Sequence, residues 1–268
     1  MLATITAVFN WLAERLRDFL MWPINLIRDF PVRSGRLLVT LWRGLRAIVF
    51  FTPELVDAQR KQNLHSWSRY KAGRFFDWWH QLLTQLFDLL GGPELGEFLM
   101  HLVTNTTPLT PKEIHMIAAV LGENAMRFGD IRVVEGGLFD LVFKLNGNLA
   151  FATWHSINLP RKKTHQGSHT RANLPIVVHE LTHVYQYEKV GTRYLGEAVY
   201  MLIKTKRDCY NYGGIAGLKN ACAAGICYRD FNREQQAKIT QDYFYYCQHN
   251  IDVAAFEPFI AQVRAGEL

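Results

Sequence analysis

The sequence predicts an α+β protein: an α-helical N-terminal region, a small sheet, a helix bearing two paired histidines, and a later helix bearing a glutamate. Three observations carry this reading. Apolar residues recur at helical spacing through about residue 90. Between residues 131 and 157, β-favouring runs flank an Asn146-Gly147 turn signal. From Leu174 to Lys189 the chain reads Leu-Pro-Ile-Val-Val-His-Glu-Leu-Thr-His-Val-Tyr-Gln-Tyr-Glu-Lys, with Asn173 placed to cap a helix and Pro175 where a missing N–H costs nothing.

The 268 residues are 49% hydrophobic, enough to bury a sizeable core. Net charge is +6 and falls early: through Arg74 there are twelve Lys or Arg against five Asp or Glu. This basic stretch is interleaved with Trp and Phe on helical faces, which suits an anionic membrane surface better than duplex DNA. The four cysteines, Cys209, Cys222, Cys227 and Cys247, lack Cys-x-x-Cys spacing, so a structural zinc site made of them is not expected. Free thiols and two disulfides both remain open.

In the N-terminal region, Ile5, Val8, Phe9, Leu12, Leu16, Phe19 and Leu20 describe an amphipathic helix. It lacks the basic start and cleavage site of a signal peptide, and charges interrupt it too early for a transmembrane span. The expectation is a cytoplasmic or peripheral protein, with export by a specialised secretion system compatible. A Pro23 to Pro31 connection leads to a second helix with Leu38, Leu41, Leu45, Ile48 and Val49 on one side and Arg36, Arg43 and Arg46 on another. Packing on its own domain is the favoured use of such a helix, with membrane docking the alternative. Thr52-Pro53-Glu54 starts a helical stretch to Leu90, weakened at Gly73, and its Phe75, Phe76, Trp78, Trp79, Leu82, Leu83, Leu86, Leu89 and Leu90 are dense enough to be core. Gly91-Gly92-Pro93 ends it, and a short helix near Glu94 to Val103 bridges to the next unit. The expected organisation is residues 1–105 as a helical, basic and aromatic region and 106–268 as the functional domain.

Thr110-Pro111-Lys112-Glu113 is a capping-box start for a helix ending near Gly122. Ile131 to Val134, Leu138 to Lys144 and Leu149 to Ile157 read as strands, the last two joined as a hairpin through Asn146-Gly147. The polar, basic run between Pro160 and Asn173 reads as a surface loop, where His165 and His169 are remote candidates for a metal. Beyond the paired histidines, Thr192 to Ile203 is helical, Gly213-Gly214 with Gly217 marks a break, and Asn232 caps a long helix through Phe244. Asp252 caps a last helix to about Ala265, whose Phe256, Phe259, Ile260 and Val263 close the core.

The chemistry resides in His179-Glu180-x-x-His183. Histidines at i and i+4 share a helical face, so two neutral imidazoles reach one ion at about 2.0–2.1 Å, and a third protein ligand leaves a position for water. Glu180 cannot usefully point at the ion, but it can take a proton from that water. Ile176, Val177, Val178, Leu181 and Val184 make the helix apolar, and buried imidazoles and carboxylates need partners. The third ligand is sought among Glu234, Glu197 and Glu188; Glu188 lies only five residues past His183 and should point elsewhere, and Glu197 requires a tight return. Asp242, two turns past Glu234, is a candidate to hydrogen-bond a ligand histidine. Tyr185, Tyr187, Tyr194, Tyr243 and Tyr246 are all candidate donors to an oxyanion, with nothing to choose between them.

Taken together, Leu109-Thr110-Pro111-Lys112-Glu113, Ile131-Arg132-Val133, Ala150-Phe151-Ala152-Thr153, the His179 to Tyr187 segment, Glu234-Gln235-Gln236-Ala237 and Asp242-Tyr243-Phe244 resemble the zincin-like metallopeptidase domain of bacterial proteins associated with Vgr and Rhs components and contractile injection systems. The resemblance covers residues 108 to 247, about half the chain. It implies a compact zincin-like core with zinc bound by His179, His183 and the glutamate of the later helix, here Glu234. One departure is Lys238, one turn after Glu234, where related glutamate zincins often carry an acid. The expected function is a zinc-dependent metallopeptidase, a hydrolase with Glu180 as general base acting on a peptide or protein substrate. The alternative is a non-catalytic zinc-binding scaffold in a bacterial secretion or cell-envelope assembly. Residues 1–105 are expected to meet an anionic membrane surface or a protein partner, and no nucleic-acid partner is expected.

Overall fold

The computed structural model describes residues 2–61, 63–135, 140–145, 147–160 and 170–268. The chain is mostly helical, with one small mixed sheet, as expected of an α+β protein. His165 and His169 lie outside the described residues.

The N-terminal region is a long helical hairpin. Helix α1 (Leu2–Val49) runs unbroken through Pro23 and Pro31, where the sequence predicted two helices and a connection. Each proline removes a main-chain hydrogen bond and crowds the preceding turn. Side-chain anchors on both sides of Pro31 hold the helix to its neighbours: Arg28 Nη2 pairs with Asp130 Oδ2 at 2.9 Å, Asp29 with Arg127, and Arg33 with Glu94. Helix α2 (Phe51–Arg60) and helix α3 (Leu64–Leu89) follow, with the break at residues 61–63 rather than at Gly73, which lies within α3. Helix α3 returns antiparallel along α1: Trp78 Nε1 donates to Thr40 O at 2.8 Å, and Arg33 donates to Asp88 O. Gly44 permits this approach, since a Cβ there would lie 2.7 Å from the Trp78 ring. Helix α4 (Gly92–Leu102) occupies the predicted bridge.

The aromatic and leucine array of α3 is not core. Of the residues expected to be buried, Leu82 is; Phe75, Phe76, Trp79, Leu83, Leu86 and Leu90 are exposed, and the buried positions on α3 include Gln81, Gln85 and Asp88. The same inversion holds along α1, where Arg15, Arg33 and Thr40 are buried while the apolar face points outward. The favoured expectation that this face packs on its own domain is therefore corrected. The seam is polar because the partners offered to it are polar: Asp18, Asp29, Asp88 and Glu94 answer the arginines.

The sheet has order β1-β2-β4-β3. Strand β1 (Thr106–Pro108) lies antiparallel to β2 (Arg132–Glu135), β2 parallel to β4 (Ser156–Leu159), and β4 antiparallel to the edge strand β3 (Phe151–Thr153). Helix α5 (Pro111–Leu121) starts at the expected capping box: Glu113 N donates to Thr110 Oγ1 at 3.3 Å and Thr110 N to Glu113 Oε2 at 2.7 Å.

Two strand expectations fail. Residues 140–145 form the short helix α6 (Asp140–Leu145), of which only Phe143 is buried, packed on Phe151. A short apolar run has no length with which to distinguish strand from helix. Gly147 and Asn148 do turn the chain, both at positive φ, but from α6 into β3 rather than between two strands; Asn146 lies outside the described residues. The predicted strand 149–157 is really β3 and β4 joined by a tight turn at Trp154-His155, with Trp154 at φ 50°.

The C-terminal half is helical: α7 (Leu174–Val190), α8 (Arg193–Thr205), α9 (Gly214–Ala223), α10 (Arg233–Gln248) and α11 (Glu257–Arg264). Gly217 lies inside α9, so only Gly213 and Gly214 mark the break. Asp252 does not cap the last helix; its Oδ1 accepts from Ala254 N, and α11 begins at Glu257. Its Phe259, Ile260 and Val263, with Phe256, are buried with Val177, Leu181 and Val184 of α7, Ile157 of β4 and Ile239 of α10 in one core. The four cysteines are all free thiols.

Candidate metal centre

Helix α7 carries the paired histidines into the interior, and α10 packs against it. Thr182 Oγ1 meets Thr240 Oγ1 at 2.6 Å, and Gln186 Nε2 reaches Gln236 Oε1 at 3.0 Å, so the contact is polar as well as close. Helix α10 starts at a capping box, with Gln235 N donating to Asn232 Oδ1 at 2.9 Å and Asn232 N to Gln235 Oε1 at 3.1 Å. Asn232 Nδ2 also donates to Cys209 O, and Gln235 Nε2 to Asn211 O. These bonds fix the first turn of α10, and Glu234 is in that turn.

Glu234 Oε2 lies 3.3 Å from His179 Nε2 and 3.5 Å from His183 Nε2. The three donor atoms lie within 4.8 Å of one another, and the cluster could hold a metal ion. All three residues, and Glu180 between them, are more than nine-tenths buried. Glu180 Oε2 has no hydrogen-bond partner among the described residues. A buried carboxylate oxygen with no partner, beside two imidazoles and a carboxylate that converge, is what a metal with a bound water would satisfy.

The electrostatics point the same way. Burial pushes the Glu180 carboxyl above its ordinary value, opposed by the two histidines and reinforced by Glu234. Burial disfavours a charged His183, yet Glu234, Glu180 and the Gln186 amide outweigh it and raise the ring to about 9. Glu234 is held well below the carboxylate range because the attraction of both histidines exceeds the cost of burial. A divalent cation at this point would take the place of the imidazole proton as the positive charge between the carboxylates.

The histidines are oriented by two glutamines that sequence reasoning did not single out. His183 Nδ1 lies 2.8 Å from Gln186 Oε1. The Gln186 amide nitrogen donates to Arg233 O at 2.9 Å and to Gln236 Oε1, so its oxygen faces the ring and Nδ1 carries the proton. When the ring is neutral, that leaves the Nε2 lone pair facing the centre, as a metal ligand requires. His179 Nδ1 lies 3.2 Å from Gln241 Oε1. Asp242, the expected partner of a ligand histidine, is instead engaged by Lys238 Nζ at 2.6 Å and Tyr212 Oη at 2.7 Å. One step along α10 turns Asp242 away and Gln241 inward. The same salt bridge accounts for Lys238, whose ammonium lies along α10 on Asp242.

The rival ligands are occupied elsewhere. Glu188 accepts from His155 Nε2 at 2.7 Å and pairs with Arg127 Nε at 3.1 Å. Glu197 bridges Arg193 and Arg233, fastening α8 to α10. Among the tyrosines, Tyr185 donates to Val263 O, Tyr243 to Glu257, and Tyr246 packs on Phe256. Tyr187 contacts Arg33. Tyr194 stacks on His183 with ring centres 6.1 Å apart, and its hydroxyl is held between Trp154 N and Ala152 O. A tyrosine the sequence did not nominate lies against His179: Tyr210, in the 3-10 turn Lys206–Tyr210, with its ring 5.9 Å from the imidazole. Its hydroxyl has no hydrogen-bond partner among the described residues, and burial, with Glu234 nearby, keeps it protonated.

No protein-family model, curated protein or solved structure matches the chain.

Proposed function

We propose that the protein is a zinc-dependent metallopeptidase. The observation that carries the reading is the convergence of His179, His183 and Glu234 beside the unpartnered Glu180 Oε2. Two imidazoles and one carboxylate suit zinc, and three protein donors rather than four are the number that leaves a coordination position open for catalysis.

His179 Nε2, His183 Nε2 and a Glu234 oxygen would hold the ion. Zinc bound there lowers the pKa of a water and polarises a carbonyl. Glu180 would receive the proton of the attacking water and return it to the leaving amine. Gln186 and Gln241 keep the ring nitrogens facing inward. Strand β3 is an edge of the sheet and contacts α7, which places a sheet edge beside the centre. Tyr210 is the candidate donor to the oxyanion.

The test combines metal analysis of the purified protein with cleavage of an unstructured protein such as casein. The wild type should carry about one zinc per chain and cleave; Glu180→Gln should keep the zinc and lose cleavage; Glu234→Ala should lose both. Cleavage that survives Glu180→Gln would overturn the mechanism, and a wild type that takes up no zinc would overturn the centre.

A further inference from the structure

The N-terminal hairpin is built inside out. Its buried seam holds Arg15, Arg33, Thr40, Gln81, Gln85 and Asp88, whereas its outward faces are apolar. On α1 the exposed residues Phe9, Leu12, Leu16, Phe19, Ile24, Ile27 and Phe30, and further on Leu38, Leu41, Leu45 and Ile48, recur mostly at three- and four-residue steps, and Phe9, Ile27 and Ile48 are 67, 75 and 74% exposed. On α3, Phe75, Phe76, Trp79, Leu83 and Leu86 do the same. A face this long is far more apolar surface than a soluble monomer leaves in water. Much of the polar side is paired, since Arg33 meets Glu94 and Asp29, Asp18 meets His101, and Trp78 meets Thr40 O, while Arg15 Nε and Nη1, Arg36 Nη1 and Gln85 Oε1 are buried without a hydrogen-bond partner among the described residues.

We infer that residues 2–90 dock the protein in the plane of an anionic lipid bilayer, with the apolar faces of α1 and α3 in the headgroup and upper acyl region. Three observations choose this occupant. First, among the described residues no helix is long and apolar enough to cross a membrane, yet α1, at 48 residues and about 70 Å, lies flat over a broad area. Second, the face is rich in Phe and Trp, with Trp42 and Trp79 both exposed, as in helices seated at a water–lipid boundary. Third, the charge is one-sided. Arg43, Arg46, Arg60, Arg69 and Arg74 are exposed at the turn end of the hairpin and form no ion pair among the described residues. Every acid in residues 2–90 is already engaged: Glu14 by Arg132, Asp18 by Arg15, Asp29 by Arg127, Glu54 by Lys71, Asp57 by Lys61, Asp77 by Arg193 and Asp88 by Thr192. The same hairpin of a second copy, packed face to face, would bring an apolar stripe but no unengaged acid for those arginines. An anionic leaflet supplies both partners at once.

The experiment is flotation of the full chain, purified in mild detergent, with vesicles of phosphatidylcholine alone or with about one-third phosphatidylserine, at low salt and at about 0.5 M salt. The wild type should float with the anionic vesicles and bind at least about tenfold less to the neutral ones or at high salt. Leu41→Glu/Leu45→Glu/Ile48→Glu and Arg43→Glu/Arg46→Glu change only exposed side chains, so far-UV circular dichroism should be unchanged. Each should cut binding at least about tenfold. Vesicle binding by the triple variant equal to wild type would overturn the inference. So would a wild type that ignores both vesicles and forms, without detergent, a dimer that the triple variant dissolves. The inference stands apart from the metal centre, since binding is read without turnover.

Discussion

Gln186 Oε1 accepts from His183 Nδ1 at 2.8 Å while the other end of the same amide is tied to Arg233 O and Gln236 Oε1. A glutamine with both ends fixed leaves the imidazole one tautomer and one orientation, so it sets the ligand without touching the ion. Gln186→Leu, close in volume but unable to accept, should lower zinc affinity about 10- to 100-fold. Competition with a chelating dye would measure it. Unchanged affinity would mean that the ring is held by packing on Tyr194 alone.

The ion should also stabilise the fold, because its donors come from two helices and exist as a set only in the native state. At a free zinc concentration a hundred times Kd, the gain is about 2.7 kcal/mol, which raises the melting midpoint by roughly 5–10 °C for a chain of this size. Glu234→Ala should abolish most of that shift. A thermal scan with and without zinc, on both proteins, decides it; equal shifts would place the ion elsewhere.

His155 gives a pH dependence separate from the centre. The ring is buried between Glu188, at 2.7 Å, and Glu97, and although burial works against the charge these carboxylates raise it to about 9, from 6.5. A group raised in the folded state stabilises fully below its unfolded value and loses that contribution as pH climbs through the folded one. The contribution of His155 to stability should therefore fall between about pH 6.5 and 9 by on the order of 3 kcal/mol at most, on top of any change from His183. Denaturant titrations across that range check it, with His155→Gln as control. A wild type and variant with parallel profiles would remove His155 as the cause.

What could be read in the chain beforehand was what local rules decide. The Thr110–Glu113 capping box and the Asn232 cap formed as expected, and the i, i+4 histidines converged with the glutamate of the later helix. What could not be read depended on partners distant in sequence. Gln186 and Gln241 resemble any helical glutamines until α7 and α10 are packed, and Tyr210 nears His179 only because a 3-10 turn returns there. Pro31 signals a break by local rules, but Asp130, Arg127 and Glu94 hold α1 on either side of it. The α3 aromatics have the density of a core, and periodicity cannot say which face a helix turns inward. That depended on Gln81, Gln85 and Asp88 finding polar neighbours.

The seam of the hairpin rests most heavily on Arg33. Its guanidinium is buried, pairs with Glu94 and Asp29, donates to Asp88 O and reaches Tyr187 on α7, the helix of the paired histidines, at 3.4 Å. Removing the cation strands the Glu94 carboxylate in the interior, whereas Asp29 still has Arg127. Arg33→Met should therefore cost about 3–5 kcal/mol of unfolding free energy. Adding Glu94→Leu should recover a large part of it, because the stranded charge goes with its partner. Urea unfolding of the two single variants and the double variant closes the cycle. If Arg33→Met costs under about 1 kcal/mol, the pair behaves as a solvated surface bridge, and the polar seam does not hold the hairpin to the domain.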